Sequence, residues 1–285
     1  MSDTIKTVGI VGLGLIGGSM AKAVRKFTDC KILGIDKNQE TMHMAKMSGT
    51  IDEDLTNETV SECDLIMIAI TPAALVTWVK ENAKYFREDA ILVDLCGIKS
   101  KIYKDVSSAA KKAGFLYVGG HPMAGKEVAG FTNASPELWS NASMILTPDE
   151  TSDIKTLDML KEFYMSLGFG SIVFSTPEEH DRIIAYTSQL AHVTSSAYIK
   201  SPTSRSYMGF SAGSYKDMTR VARLDPDMWT ELFLDNAENL ETELAELIKN
   251  LEDYLSAIKS RDKERLHELL KEGLDIKLTE KDEVL

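Results

Sequence analysis

The first stretch able to do chemistry is Gly12-x-Gly14-x-x-Gly17, set between an apolar run and a helix-forming run. Gly12 permits a tight turn, Gly14 lets an anion approach the backbone, and Gly17 lets helix and strand pack closely. With Leu13, Leu15 and Ile16 between them, these residues put free N–H groups at a helix N-terminus, where a pyrophosphate is favoured. Asp36 follows a second apolar run, close to the roughly 20-residue offset at which an acid meets the ribose hydroxyls of a dinucleotide. A glycine-rich turn without nucleotide is the alternative, and strand, glycines, helix and acid in register speak against it. His121, in Gly119-Gly120-His121-Pro122-Met123-Ala124-Gly125, would then face the nicotinamide end. Imidazole is the side chain best suited to accept a proton near neutral pH, and an unperturbed one would give an acid limb near pH 6.5, roughly. A loop histidine bonded to the backbone is the alternative. Asp181, Ser188 and His192 are spaced by 7 and 4 and would share one helical face, solvated or lining a pocket. Arg220 offers a fork for a carboxylate, or else an i,i+3 ion pair with Asp217.

Such residues need a scaffold, and the chain supplies one. Up to about residue 175 strands and helices alternate. Apolar strands are expected at 8–11, 31–35, 64–70, 90–94, 115–118, 143–147 and 171–174, with helices at 38–47, 73–85, 100–112 and 152–167. This order implies an α/β fold with a doubly wound, mostly parallel sheet of the Rossmann type. Ligands collect at the carboxyl ends of such strands, where Thr71, residues 94–99 and residues 119–125 fall. At Thr176-Pro177-Glu178-Glu179 the texture changes. Thr176 reads as an N-cap, Pro177 as the first helical residue and Glu179 as the close of a capping box. Helices are expected at 177–200, 214–223, 226–259 (capped by Asp225) and 261–272, with residues 277–285 frayed. The sequence therefore divides into a dinucleotide-binding part, 1–175, and an all-helical part, 176–285. Leu232, Leu240, Leu244, Leu247, Leu251 and Leu255 leave more apolar surface than one helix covers, which implies a homodimer.

Composition narrows the classes. The 285 residues are 44% hydrophobic and 27% charged, ordinary for a globular protein. Of the net charge of −12, residues 225–285 carry −10 (18 acidic, 8 basic), so the acidity belongs to a solvated helical face. No basic patch suggests nucleic acid. No apolar run suggests a membrane span or a signal peptide, and Cys30, Cys63 and Cys96 show no metal or disulfide spacing. A cytoplasmic protein acting on a small molecule, without a metal, is expected.

Together the motifs resemble the prephenate dehydrogenase family, which includes arogenate and cyclohexadienyl dehydrogenases. They are residues 12–19, 94–99 and 121–125, His180-Asp181, Ser188-Gln189-Leu190-Ala191-His192, Lys216-Asp217-Met218-Thr219-Arg220 and Asp225-Pro226-Asp227-Met228-Trp229. The resemblance covers about residues 8–255. It implies a Rossmann domain, an all-helical dimerisation domain and an active site between them. The implied reaction is NAD-dependent oxidation of prephenate with loss of CO2, giving 4-hydroxyphenylpyruvate for tyrosine synthesis. It also implies that His121 is the catalytic histidine, Arg220 the carboxylate-binding arginine and His192 a second pocket histidine. Gly213 is implied as a backbone contact to the substrate, Glu127 as a gating acid and Trp229 as a pocket wall. NAD would be held by Gly12, Leu13, Gly14, Leu15, Ile16, Gly17, Asp36, Thr71 and Gly97. No regulatory or chorismate mutase domain is expected.

Two positions depart from the pattern. Gly97 stands where many relatives carry serine, and Gln189 where some carry histidine. The rival readings are an arogenate dehydrogenase, a β-hydroxyacid-dehydrogenase-like reductase and a catalytically silent NAD sensor. The reductase would need a lysine on the long helix that follows the sheet. Here that helix offers His192 and no lysine before Lys200.

Overall fold

The computed structural model describes residues 4–150 and 152–279. Eight strands form one sheet: β1 (Thr7–Val11), β2 (Lys31–Ile35), β3 (Glu53–Asp54), β4 (Leu65–Ile68), β5 (Ile91–Asp94), β6 (Leu116–Pro122), β7 (Ser143–Pro148) and β8 (Ser171–Phe174). Their order is β3-β2-β1-β4-β5-β6-β7-β8, and every pair is parallel except β6 with β7. Both faces are covered, because alternate side chains of each strand enter different cores. Val8, Ile10, Met67 and Val93 pack against α1 (Leu15–Phe27) and α5 (Ile154–Ser166). Val11, Ile66, Ile68 and Leu92 pack against α3 (Pro72–Asn82) and α4 (Ser100–Ala113). Helix α2 (Gln39–Met47) is capped by the Asn38 side chain, and α5 by that of Asp153. The chain winds to opposite sides from β1, to β2 and then to β4. A crevice for a ligand opens at that switch.

Two features of the sheet differ from the sequence reading. The two-residue strand β3 was not foreseen, for Glu53 and Asp54 are exposed and carry no apolar signal. Strand β6 runs four residues past its expected end at residue 118. Its pairing with β5 stops at Asp94↔Gly119, and the antiparallel neighbour β7 carries it onward through His121↔Ile145 and Pro122↔Met144. His121 therefore stands on a strand, not in a loop.

After β8 every element among the described residues is helical: α6 (Pro177–Ile184), α7 (Leu190–Tyr198), α8 (Gly213–Thr219), α9 (Pro226–Asp235), α10 (Ala237–Ser260) and α11 (Lys263–Thr279). Thr176 accepts from Glu179 N and caps α6, whereas the Glu179 carboxylate is taken by Ser175 Oγ, so the capping box is half-formed. The single helix expected at 177–200 is interrupted by a wide π turn, Ala185–Gln189. The single helix expected at 226–259 breaks at Asn236 (φ −123°, ψ 29°). The cause of that break is tertiary. Asn236 is buried, and its Nδ2 donates to Asp181 O and to Gln189 Oε1, each at 2.8 Å. Leu232 thus belongs to another helix than the rest of the leucine stripe. Leu240 is buried, while Leu251 and Leu255 stay exposed beside Ile248 and Ile258. Helix α11 continues through Thr279 rather than fraying from 277, and residues 280–285 lie outside the described residues. No helix among the described residues is long and apolar enough to cross a membrane.

Candidate active site

The crevice is built to take a dinucleotide. Gly12 sits at φ +86°, and a Cβ there would lie 2.6 Å from Ala69 O, so only glycine fits. A Cβ on Gly17 would run into Gly12 O. Gly14 caps α1 without any side-chain bond and has open space where its Cβ would be, which leaves room for a phosphate at the first turn formed by Leu15 and Ile16. The Leu13 side chain is buried in the core, so it is the backbone of that residue that belongs to the cradle. Leu13 N donates to Asp36 Oδ2 at 2.7 Å, and Asn38 N donates to Asp36 Oδ1 at 2.8 Å. Each carboxylate oxygen keeps a further lone pair for a ribose hydroxyl. Thr71 is exposed at the start of α3, on the same edge of the sheet.

At the far end of the crevice lies a cluster of titratable groups. A Cβ on Gly120 would meet Val93 Cγ1 at 2.6 Å and Asp94 O at 2.7 Å, so this glycine lets β6 pass close to β5 and present His121. His121 is half-buried. Its Nδ1 lies 2.9 Å from Nε2 of His180, whose Nδ1 lies 2.8 Å from Asp181 Oδ1. Among the described residues no hydrogen bond engages His121 Nε2. That nitrogen lies 3.9 Å from where a Cβ on Gly97 would be, with Leu232 Cδ2 at the same distance. Burial pushes the His121 pKa well below the usual imidazole value, and the neighbouring His180 and Lys99 add to the effect against the pull of Asp181. The ring is therefore neutral at pH 7, the state a base needs. Behind it, Lys99 and Asp94 form a fully buried ion pair, with Cys96 N and Tyr117 OH also donating to Asp94. These bonds fix the loop that carries Gly97.

A second group of side chains gathers on the helical side. His192 stacks on Trp229 with ring centroids 4.1 Å apart, and its Nδ1 donates to Ser188 O at 2.8 Å. Arg220 pairs with Glu127, from the segment after β6, rather than with Asp217. The pair is open to solvent, with the guanidinium side chain 68% exposed. Gly213 opens α8 and is exposed. Helix α9 is seated against the sheet domain through Glu231, which accepts from Ala73 N at 3.4 Å, and through Asp235, 3.4 Å from Lys101 Nζ.

The expected stripe of Asp181, Ser188 and His192 forms only in part, for His192 Nδ1 still meets Ser188 O one turn back while Asp181 is engaged elsewhere. The π turn inserts extra backbone between them, so Asp181 is turned into the domain contact while His192 meets Trp229. The sequence analysis gave His180 no role beyond the His180-Asp181 motif, yet it is 2% exposed and bonds His121. Its adjacency to Asp181 was the available signal. Gln189, unassigned from sequence, donates through Nε2 to Leu232 O at 3.0 Å and accepts from Asn236.

Comparison with known proteins gives a consistent result. A family model described as "Prephenate dehydrogenase, nucleotide-binding domain" matches residues 20–173, and one described as "Prephenate dehydrogenase, dimerization domain" matches residues 176–272. The chain is 30% identical to a cyclohexadienyl dehydrogenase of Zymomonas mobilis, covering 96% of this chain and 95% of the relative. It is 29% identical to a prephenate dehydrogenase of Bacillus subtilis, covering 96% of this chain and 76% of that longer protein. Among solved structures it resembles prephenate dehydrogenase from Aquifex aeolicus in complex with hydroxyphenyl propionate and NAD+, with a TM-score of 0.85, 30% identity, and 98% of this chain and 99% of that one covered.

Proposed function

The chain belongs to the prephenate dehydrogenase family, and on that premise we propose that it converts prephenate and NAD+ to 4-hydroxyphenylpyruvate, CO2 and NADH. The observation that carries this reading is a neutral His121 whose Nε2 has no hydrogen bond among the described residues, at the end of a dinucleotide cradle and beside the open side of Gly97. When bound, NAD+ would be held by the 12–17 loop, Asp36, Thr71 and the Gly97 loop and would supply the acceptor for the hydride of the carbon that bears the ring hydroxyl. His121 Nε2 takes the hydroxyl proton as that carbon becomes a carbonyl. Loss of CO2 from the ring then sends an electron pair through the ring to this oxygen, which recovers the proton from His121. The aromatic product makes the step effectively irreversible, and no net proton is released.

The remaining groups orient the substrate. Arg220 grips a carboxylate distant from the reacting carbon once that carboxylate displaces Glu127, and Gly213 offers backbone beside it. His192 contacts the substrate from the position where Trp229 fixes its ring. The division between the two domains falls at residues 175/176. The exposed residues Ile248, Leu251, Leu255 and Ile258 of α10 form the homodimer face. Sedimentation should give a mass near twice 31.6 kDa, and a fully active monomer at micromolar concentration would refute the dimer. The decisive assay follows NADH formation with prephenate and, in parallel, with arogenate. Turnover of arogenate alone would transfer the reading to that substrate, and turnover of neither would end it.

A further inference from the structure

Asp181 performs two tasks with one carboxylate. Helix α4 has no side-chain cap of its own. Instead Asp181, reaching across from α6, accepts from Lys99 N with Oδ1 and from Ser100 N with Oδ2, each at 2.8 Å. A helix N-terminus offers unpaired N–H groups and partial positive charge. Burial raises the Asp181 pKa, but the hydrogen bonds from His180, Ser100 and Lys99 outweigh it and hold the group below the usual carboxylate range. The carboxylate is thus ionised, and an ionised carboxylate only accepts. His180 Nδ1, 2.8 Å from Oδ1, must therefore carry the hydrogen. Burial lowers the His180 pKa, so its ring is neutral and Nε2 holds a lone pair. His121 Nδ1, 2.9 Å away, must then donate to it. The lone pair of the neutral His121 ring is left on Nε2, next to Gly97.

We propose that Asp181 is a positioning residue for the base: seated on the N-terminus of α4 across the domain contact, it sets the order of protons along His180 and His121, so that His121 presents an acceptor to the substrate hydroxyl. The inference rests on the reading of His121 as the base. It also ties that base to domain packing, because the cap on α4 holds the carboxylate in place and Asn236 holds the Asp181 carbonyl.

The proton order can be read directly by 15N NMR of the imidazole nitrogens in the ligand-free protein. In the wild type both His121 and His180 should carry hydrogen on Nδ1 and none on Nε2. A proton on Nε2 of either ring overturns the proposal, whatever the substrate proves to be. Asp181→Asn keeps an amide oxygen that can cap α4 but loses the ionised acceptor. His121 should then populate the Nε2–H form. Its kcat should fall on the order of 10²-fold with KM changed less than about threefold, and NAD+ binding should persist. An unchanged kcat, or a loss that is recovered on cooling in step with refolding, would leave Asp181 as a helix cap alone. His121→Asn, assayed beside it, separates the two ideas. Full activity there removes the base assignment while leaving the proton order intact.

Discussion

His121 Nδ1 and His180 Nε2 lie 2.9 Å apart, although one residue stands on β6 and the other on α6. The proposed base on the sheet is thus held by a histidine of the helical part. Both rings are buried enough to have pKa values below the ordinary imidazole value, so both are neutral at pH 7. This corrects the acid limb read from sequence. The limb in log kcat/KM should lie below roughly pH 6.5, with activity flat through neutrality and lost as pH falls through the depressed value. His121→Asn should abolish the limb and lower kcat by roughly 10²–10⁴-fold while NAD+ still binds. A limb that persists in this variant and vanishes in His192→Asn would transfer the role to His192.

The same two histidines bear on stability. Each has a lower pKa folded than unfolded, so the unfolded chain binds more protons between the two values. Their stabilising effect is complete above roughly pH 6.5 and is lost as pH drops toward the native values. Thermal midpoints measured from pH 8 to pH 5 should therefore decline on the acid side. His180→Phe, which removes one of these groups, should flatten the decline, and an equally steep profile in that variant would contradict the assignment.

The Arg220–Glu127 pair joins the helical part to the segment after β6 and is open to solvent. Exposed ion pairs contribute only about 0–1 kcal/mol, so a substrate carboxylate can displace Glu127 at small cost. Glu127→Ala should lower KM for substrate, or leave it unchanged, with kcat retained. Arg220→Ala should raise KM by about tenfold or more, at or below the lower end of the 2–5 kcal/mol typical of a buried charge pair, because this guanidinium is largely exposed. An unchanged KM in Arg220→Ala would return the residue to a surface role.

Much of this arrangement was legible in the residues. Glycine spacing announces a cradle because Gly12 turns at φ +86° and a Cβ on Gly17 would run into Gly12 O, demands set within a few residues of chain. Thr176 and Asp225 were readable as caps for the same reason. What escaped the sequence was set by distant partners. The break at Asn236 depends on Asp181 and Gln189, 55 and 47 residues away. The extension of β6 depends on β7, and the rotation of His192 away from Asp181 depends on a π turn that no periodicity reveals. His180 escaped because its partner His121 is 59 residues distant.

Asp36 is the residue proposed to choose the cofactor. Its two oxygens are already oriented by Leu13 N and Asn38 N, so the carboxylate cannot swing away from an added 2′-phosphate. Like charges so placed repel by several kcal/mol, and kcat/KM should favour NAD+ over NADP+ by roughly 10²-fold or more. Asp36→Asn keeps the shape and removes the charge, which should narrow the ratio. A wild-type preference for NADP+ would show that the exposed neighbour Lys37 dominates instead.

Gly97 tests whether the open space beside the base is needed. Its φ is not in the left-handed region, so nothing in the backbone demands glycine. A Cβ there would sit 3.9 Å from His121 Cε1, His121 Nε2 and Leu232 Cδ2, ordinary contact with all three. Serine therefore fits without displacing His121, and its hydroxyl would come to rest near Nε2, the nitrogen proposed to receive the substrate proton. Gly97→Ser should fold, bind NAD+ as the wild type does and keep kcat within about threefold, since the hydroxyl can share the hydrogen bond of the substrate oxygen. Gly97→Val offers no hydrogen bond and fills the space with two methyl groups. It should raise KM for substrate by about tenfold or more, the scale on which one or two misplaced methyl groups are felt in a close-fitting pocket. Steady-state kinetics on the two variants, with NAD+ affinity measured separately, decides the matter. Equal activity in both would show that the substrate does not approach His121 from the side of Gly97, and the placement of the hydroxyl between them would have to be abandoned.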